Sequence, residues 1–126
     1  DVATVDAGIG LEEFRVKFPL GSKTQVVAVD ATGRYVGLAV VAEAHAPDID
    51  AVRGLIGIQH HRDVVLHPVM NIQEAIAVFD AAEAESLAVV ETDGEHRPVG
   101  ILTEAHAMRR YAEESDKRRR EAIGEA

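Results

Sequence analysis

The segment VGILTEAHAMRRY, residues 99–111, contains residues whose types and spacing could bind a ligand. A short apolar run passes through Thr103 into a charged segment with the periodicity of a helix. A strand that leads directly into a helix leaves backbone N–H groups unpaired at the junction, and these groups attract anions. Thr103 is also a common N-cap residue, so a capped helix without any ligand explains the same pattern. Both interpretations are open at this point.

Histidines in the middle of the chain could ligate a metal ion. Neighbouring histidines of an extended segment point to different sides, however, and no HExxH-type helical spacing occurs. A solvent-exposed polar patch in a linker is the alternative interpretation. The residues concerned are His60, His61, Asp63 and His67.

Catalysis is not expected from this sequence. An enzyme needs a nucleophile next to a base, or an acid–base pair in a pocket. The chain has no Cys, and its serines, Ser22, Ser86 and Ser115, do not lie in a nucleophile-elbow motif. The absence of Cys also excludes disulfides and thiolate metal sites, and it fits a reducing compartment.

Length, composition and charge restrict the class of protein. At 126 residues the chain can form one compact domain or two small half-domains that share a core. The apolar fraction is 47%, mostly small aliphatic residues that suit helices packed on a sheet. The net charge of −9 disfavours nucleic acid as a partner, because its phosphates would be repelled. No apolar run is long enough to span a membrane, and no signal peptide is recognisable.

The sequence contains an internal repeat with an offset of 61 positions. Residues 3–46 align with residues 64–107 without a gap, with eight identical positions and several apolar-for-apolar exchanges. Half of the identities come from the block EAHA, which occurs at Glu43–Ala46 and again at Glu104–Ala107. The remaining identities are Glu13/Glu74, Phe18/Phe79, Val29/Val90 and Gly33/Gly94.

Each copy has the pattern of a β-α-β-β-α unit. In the second copy we predict an extended segment at 64–68, a helix from the capping box Asn71–Glu74, strands at 86–92 and 99–102, and a helix that Thr103 caps. In the first copy we predict the same order, with an extended segment, a helix ended by Pro19, two strands and a short helix. The predicted ranges of the first copy are 2–6, 11–18, 25–29, 35–41 and 42–46.

We therefore predict an α+β fold in which two repeats pack around a pseudo-two-fold axis. The predicted divisions are repeat 1 at 1–46, a linker at 47–63, repeat 2 at 64–112 and a C-terminal helical extension at 113–126. The linker includes a possible helical turn from Asp48 to Leu55.

The charge is distributed unevenly along the chain. Residues 1–102 carry 7 basic and 16 acidic side chains, whereas residues 103–126 carry 6 of each. On the terminal helix, Glu113–Lys117, Glu114–Arg118 and Asp116–Arg120 have the i,i+4 spacing of ion pairs. The helix could simply cap the module, or its outer half could contact a partner or present Arg118–Arg120 to a membrane.

The order and length of these elements resemble the tandem cystathionine-β-synthase (CBS) domain pair, or Bateman module, over residues 3–112. In addition, NIQEAIAVFDAAEAESLAVVE (71–91) and PVGILTEAHAMRRYAEE (98–114) resemble the cytoplasmic C-terminal CBS pair of bacterial CLC-type chloride channels and transporters. The resemblance implies a regulatory and dimerising module. It also implies a location on the cytoplasmic side of a membrane, attached to a membrane-spanning chloride transport domain of the same polypeptide. The start at Asp1 rather than Met would then reflect a fragment of that longer protein.

The same resemblance implies candidate contacts for adenine nucleotides. CBS pairs that bind adenosyl ligands have Gly, two apolar residues, Ser or Thr, two more residues and Asp. Here Gly100–Thr103 follows that pattern, but His106 stands where the Asp would accept the ribose hydroxyls. In the first copy the gap-free alignment places His45 at the Asp position, and counting from Gly37 places Glu43 there. We therefore take Thr103, His106, Glu43 and His45 as candidate nucleotide contacts.

No cofactor is required by this interpretation, and ATP, ADP or AMP would act as a regulatory ligand. A homodimer is the expected assembly, since CBS pairs commonly associate in twos. Two other functions remain open: a stand-alone cytosolic nucleotide sensor, and a structural spacer that binds no ligand.

Overall fold

The computed structural model describes residues 2–50 and 53–124, which form two repeats: the first is β-α-β-β-α, and in the second a single β-bridge takes the place of the first strand. The first contains β1 (Thr4–Asp6), α1 (Leu11–Lys17), β2 (Gln25–Val29), β3 (Tyr35–Val40) and α2 (Val41–Ala44). A 3₁₀ helix, Gly54–Ile58, and the short strand β4, Gln59–His60, follow in the connecting segment. The second repeat contains α3 (Ile72–Ala82), β5 (Ser86–Val90), β6 (Pro98–Thr103) and α4 (Glu104–Ala122). The α+β fold class predicted from the sequence is confirmed.

Local chemistry explains three of the helix ends. The predicted capping box is present at α3, because the Asn71 side chain accepts from the Glu74 N–H and the Glu74 carboxylate accepts from the Asn71 N–H. Helix α1 ends just before Pro19, as expected from the ring of that residue. At α4, Thr103 Oγ1 accepts from the backbone N–H of His106 at 3.1 Å, which confirms the predicted cap.

Two sheets form the centre of the fold. The first has the order β1-β2-β3-β4, in which β1 runs parallel to β2 and the other pairs are antiparallel. The second is the antiparallel pair β5-β6, and Leu66 of the preceding extended segment forms a parallel bridge to Val89. This bridge is equivalent to the pairing of Val5 with Ala28 in the first repeat.

The apolar side chains form one core in each repeat and a third cluster between the sheets. Phe14 lies at the centre of the first core and Phe79 at the centre of the second, and both are fully buried. Between the repeats, two residues of the first sheet pack with two residues of the second. Since neither sheet would be covered on this side without the other, the repeats stabilise each other. The four buried residues are Val27, Leu38, Ala88 and Val90.

The connecting segment contributes more structure than the sequence indicated. Strand β4 pairs antiparallel with β3 and so becomes the edge of the first sheet. Of the helical turn predicted from Asp48 to Leu55, positions 51 and 52 lie outside the described residues. The helical conformation begins at Gly54 and continues to Ile58 as a 3₁₀ helix.

Candidate functional site

A cleft of about 430 Å³ lies in the second repeat, between the segment before α3, the two strands and α4. Its size falls within the range of small-molecule sites, roughly 300–1,000 Å³. Aliphatic side chains form its floor, so an apolar or flat ring system could be buried there. Those side chains include Leu66, Met70, Ile72, Val89, Ile101 and Leu102.

Polar groups lie around the same cleft, contributed by different elements. His67 follows the extended segment, and its Nδ1 lies 2.8 Å from the carbonyl oxygen of Val90. A carbonyl can only accept, so Nδ1 carries the proton that it donates, and in the neutral ring Nε2 is an acceptor. Asn71 also lines the cleft, but its side-chain oxygen is engaged in the cap of α3.

Helix α4 supplies the charged groups of the cleft, Arg110 and Glu114. Their i,i+4 spacing places both on one side of the helix, above the apolar floor. Among the described residues neither side chain takes part in a salt bridge or a hydrogen bond. The cleft thus combines an apolar floor with one cation and one anion that have no protein partner in the described structure.

Gly100 keeps one side of the cleft open. A Cβ atom built at this residue meets nothing within 4 Å. Gly37 is its counterpart, because each glycine lies in the second strand of its repeat, opposite Ala28 and Val89 respectively. A Cβ at Gly37 would lie 3.0 Å from the Cβ of Gln59, so β4 occupies the space that is open in the second repeat.

The candidate contacts in the second repeat, Thr103 and His106, lie at the N-terminus of α4 and are exposed. Thr103 uses its hydroxyl oxygen to cap the helix, and the ring Nδ1 of His106 lies 3.5 Å from Arg109 Nη2. Neither residue is among those that line the cleft. The structure therefore brings these two residues together at one corner, beside a cleft that other residues line.

The candidates in the first repeat are engaged in contacts of their own. Glu43 Oε1 lies 2.7 Å from Nε2 of His60, and this pair joins α2 to β4. His45 Nε2 lies 2.8 Å from the Phe18 carbonyl oxygen and donates to it, which ties the end of α2 to the end of α1. Neither residue lines the cleft of the second repeat.

The strand pairing also decides between the two registers considered for the repeat. Five residues, 30–34, connect β2 to β3, whereas seven, 91–97, connect β5 to β6. Both hairpins have a bulge at the same point, and beyond it the offset between repeats is 63, as for Gly37 and Gly100. The gap-free alignment is therefore wrong after the turn. Glu43, not His45, is the structural counterpart of His106.

Comparison with solved structures gives the same architecture. A CBS domain pair/ACT domain protein from Thermotoga maritima matches with a TM-score of 0.66, 18% identity, and 90% coverage of both chains. The CBS domain pair of protein MJ0100, in complex with 5-methylthioadenosine and S-adenosyl-L-methionine, matches with a TM-score of 0.68, 20% identity and 90% coverage of both chains. The chain has the fold of a CBS domain pair.

Two further comparisons bear on this chain. Residues 53–113 match the family model of the CBS domain, and no curated protein matches the sequence. The CBS domain of the bacterial CNNM/CorC family Mg²⁺ transporter, in complex with ATP, matches with a TM-score of 0.66 and 15% identity, over 85% of this chain and 75% of that one. CBS pairs solved with adenosine compounds, one of them from a membrane transporter, thus share the fold.

The histidine patch does not form a metal site in the described residues. No group of three or more His, Asp or Glu side chains converges at 2–50 or 53–124 in a way that could hold a metal ion. His60 is paired with Glu43 and His67 with the Val90 carbonyl, so these rings already have partners. Burial, together with the neighbouring His60, lowers the pKa of His61.

The terminal helix has fewer of the predicted ion pairs than its spacing suggested. Asp116 pairs with Arg120 at 3.5 Å, as predicted, and also with Arg119 at 2.6 Å. Among the described residues, Lys117 pairs with Glu121 rather than with Glu113. No described helix is both long and apolar enough to cross a membrane.

The sequence pattern pointed to Gly100, which lies at the cleft, but not to the polar and charged side chains around it. From the sequence alone, Arg110 and Glu114 belong to a charged helix and His67 to a candidate metal-binding patch. One signal was available in advance: the i,i+4 spacing of Arg110 and Glu114 places them on the same side of α4. That this side faces a cleft depends on how α4 packs beside α3 and β6.

Proposed function

We propose that this CBS pair is a non-catalytic regulatory module that binds an adenosine-containing ligand in the cleft of the second repeat. The cleft carries the proposal, because its apolar floor can bury a purine while unpaired charged groups stand beside it. Structures with the same fold, by their names, hold ATP, S-adenosyl-L-methionine or 5-methylthioadenosine. We further propose that the working units are the predicted repeats 1–46 and 64–112, the linker 47–63 and the extension 113–126.

Ligand titration tests this proposal. AMP, ADP, ATP and S-adenosyl-L-methionine are added in calorimetric and thermal-unfolding experiments, and at least one of them should bind. A ligand at about one hundred times its Kd stabilises the folded state by about 2.7 kcal/mol, which a thermal shift detects readily. If millimolar concentrations of all four ligands produce neither heat nor a shift, ligand binding is refuted and the spacer function remains.

A glycine substitution locates the binding site. Gly100→Leu should fill part of the cleft and abolish binding, and its Cβ meets no other atom within 4 Å. Gly10→Leu is the matched control, because a Cβ at Gly10 is equally unobstructed and this residue does not line the cleft. Binding that survives Gly100→Leu would place the ligand elsewhere.

We also propose that Thr103 and His106 contact the ribose and phosphate groups of the ligand, as the sequence pattern predicts. Glu43 and His45 are proposed as the corresponding contacts in the first repeat, since neither lines the cleft of the second. Thr103 and the backbone N–H groups of α4 lie at the corner next to Gly100, which supports this assignment for the second repeat. His106→Asp restores a carboxylate that can accept both ribose hydroxyls, and it should strengthen binding of adenosine ligands. If both His106→Asp and Thr103→Val leave the affinity unchanged, the N-terminal corner of α4 does not contact the ligand.

We propose that the parent protein is a CLC-type chloride channel or transporter and that the module lies on the cytoplasmic side of the membrane. The sequence resemblance at 71–91 and 98–114 supports this parent, and the similar CBS domain of a Mg²⁺ transporter supports membrane transport in general. The upstream reading frame of the gene tests it. Hydrophobic membrane spans before Asp1 support the transporter, whereas a nearby start codon supports a stand-alone nucleotide sensor, the second candidate.

We propose that the module forms a homodimer through the exposed apolar face of α3 and α4. Met108 is 49% exposed and Tyr111 37% exposed, and they line a groove together with Ile76. The segment 103–126 carries equal numbers of acidic and basic residues, so two copies can approach there despite the net charge of −9. Sedimentation should give a dimer that Met108→Glu dissociates, while Ile123→Glu at the end of α4 should leave it intact. A monomer at high protein concentration would refute this.

A further inference from the structure

We propose that Arg110 makes the cleft selective for adenosine compounds that carry a phosphate group, over those that carry none. This inference depends on the proposed ligand-binding function and defines the class of ligand more narrowly. Solved CBS pairs of this fold hold ATP in one case and 5-methylthioadenosine with S-adenosyl-L-methionine in another, so the fold alone leaves the charge of the ligand open.

Arg110 is the one Lys or Arg side chain among the described residues that line the cleft. It is exposed and, within the described structure, has no carboxylate or carbonyl partner that a ligand would have to displace. The adjacent Arg109 instead lies near His106, with 3.5 Å between Nη2 and Nδ1, and it does not line the cleft. Of the two adjacent arginines, only Arg110 therefore places a positive charge at the cleft.

Glu114 opposes this preference from one turn further along α4. It also lines the cleft, and it lines a smaller neighbouring pocket together with Arg118. The charges of Arg110 and Glu114 thus oppose each other in the cleft. Removing the Glu114 carboxylate should raise the affinity for an anionic ligand. His67 adds a polar edge, but its Nδ1 proton is already donated to the Val90 carbonyl.

The chemistry of an unpaired guanidinium defines the ligand class. It offers a fork of N–H donors to phosphate oxygens. S-adenosyl-L-methionine offers a single carboxylate together with a sulfonium and an ammonium cation, both of which the guanidinium repels. A charge-assisted hydrogen bond to a phosphate should raise affinity by about tenfold or more at a partly exposed site. We therefore expect AMP to bind at least about tenfold more tightly than adenosine, and S-adenosyl-L-methionine to bind more weakly than AMP.

Calorimetric titration with AMP and with adenosine isolates the effect of the phosphate. Arg110→Gln should weaken AMP by about tenfold and leave adenosine unchanged, so the two ligands become nearly equal. Glu114→Gln should strengthen AMP by a few-fold, a change that a purely structural role for Glu114 would not produce. Lys117→Gln is the control: it removes a positive charge from an exposed position of α4 that does not line the cleft, and AMP affinity should stay within about twofold.

The results distinguish this inference from the proposed function. If wild-type protein binds adenosine and AMP equally, or if Arg110→Gln weakens both ligands by the same factor, the selectivity is refuted while ligand binding stands. If Lys117→Gln weakens AMP binding as much as Arg110→Gln does, the effect comes from the overall charge of α4 rather than from Arg110, and the inference fails. If no adenosine compound binds, both the inference and the proposed function are refuted.

Discussion

Adding a methyl group at Gly37 should destabilise the protein, whereas the same change at the equivalent Gly100 should not. A Cβ at Gly37 would lie 3.0 Å from the Cβ of Gln59, and 3.3 Å from both Gln59 Oε1 and the backbone oxygen of His60. At Gly100 the same atom meets nothing within 4 Å. The comparison is closely matched, because both glycines lie in the second strand of a hairpin with the same bulge.

The magnitude follows from these distances. Carbon atoms in favourable contact lie about 3.5–4.0 Å apart, so β4 must move outward by a few tenths of an ångström. Two of the three contacts are a Cβ and a carbonyl oxygen, which cannot rotate away. Overpacking of this kind costs about 1–3 kcal/mol, and we expect about 1–2 kcal/mol for Gly37→Ala, or a fall in Tm of about 4–8 °C. Gly100→Ala should be neutral or stabilising by about 0.5 kcal/mol.

Urea denaturation followed by circular dichroism measures both variants, and a double-mutant cycle with Gln59→Gly identifies the cause. Without the Gln59 side chain two of the three close contacts disappear, so Gly37→Ala should cost less in that background than in the wild type. Equal stability of Gly37→Ala and Gly100→Ala would refute the reasoning, because β4 would then not occupy the space beside Gly37. An unchanged cost in the Gln59→Gly background would refute the assignment to that side chain.

Three further predictions concern Tyr35, Asn71 and Asp30. Burial raises the pKa of Tyr35 to about 12, so the free energy of unfolding should fall as the pH rises from 10.0, the ordinary pKa of tyrosine, towards 12. Tyr35→Phe should abolish this dependence on pH. Absorbance titration of the phenol measures the pKa directly. Asn71→Ala removes the capping box of α3 and should cost about 1 kcal/mol in urea denaturation, since a backbone N–H loses its acceptor. Hydrogen bonds from the Thr32 hydroxyl and the Arg34 N–H lower the pKa of Asp30. The carboxylate should therefore stabilise the fold above pH 3.8, its ordinary pKa, and this stabilisation should be lost as the pH falls through the lowered pKa of the folded protein. NMR titration of the Asp30 carboxyl measures that pKa, with Asp30→Asn as the control.

Each of these predictions can fail in a defined way. A Tyr35 phenol that titrates near pH 10 would show that the ring is not buried. Asn71→Ala with wild-type stability would show that the cap contributes nothing to the fold. An Asp30 carboxyl with an ordinary pKa would show that the hydrogen bonds of this turn do not persist in solution.

Much of the fold was predictable because local sequence determines it. Strand β2 has the predicted bounds 25–29, and the Asn71–Glu74 capping box and the Thr103 cap formed as predicted. These features depend on residues within a few positions of one another, and their physical causes are hydrogen bonds of a helix end and the burial of alternating apolar residues. The repeat was detectable for the same reason, since it preserved that local chemistry twice.

The register between the two repeats was not predictable from identities. In the segment after the turn, the gap-free alignment rests on the EAHA block, which is the longest run of identical residues in the repeat. The structural offset of 63 replaces it with scattered matches such as Gly37/Gly100 and Ala44/Ala107. Strand pairing decided the register, because a hairpin loop that is two residues longer displaces every later residue without changing its local pattern.

By itself, the sequence determined the two repeats, the order of their helices and strands, the caps and the uneven charge, all of which follow from short-range patterns. The tertiary structure decided which residues meet across long distances in the chain. It placed β4 beside β3, and it brought His67 together with Arg110 and Glu114 around one cleft. These contacts arise from packing of sheets and helices around shared apolar cores, and such packing depends on the whole chain rather than on any segment of it.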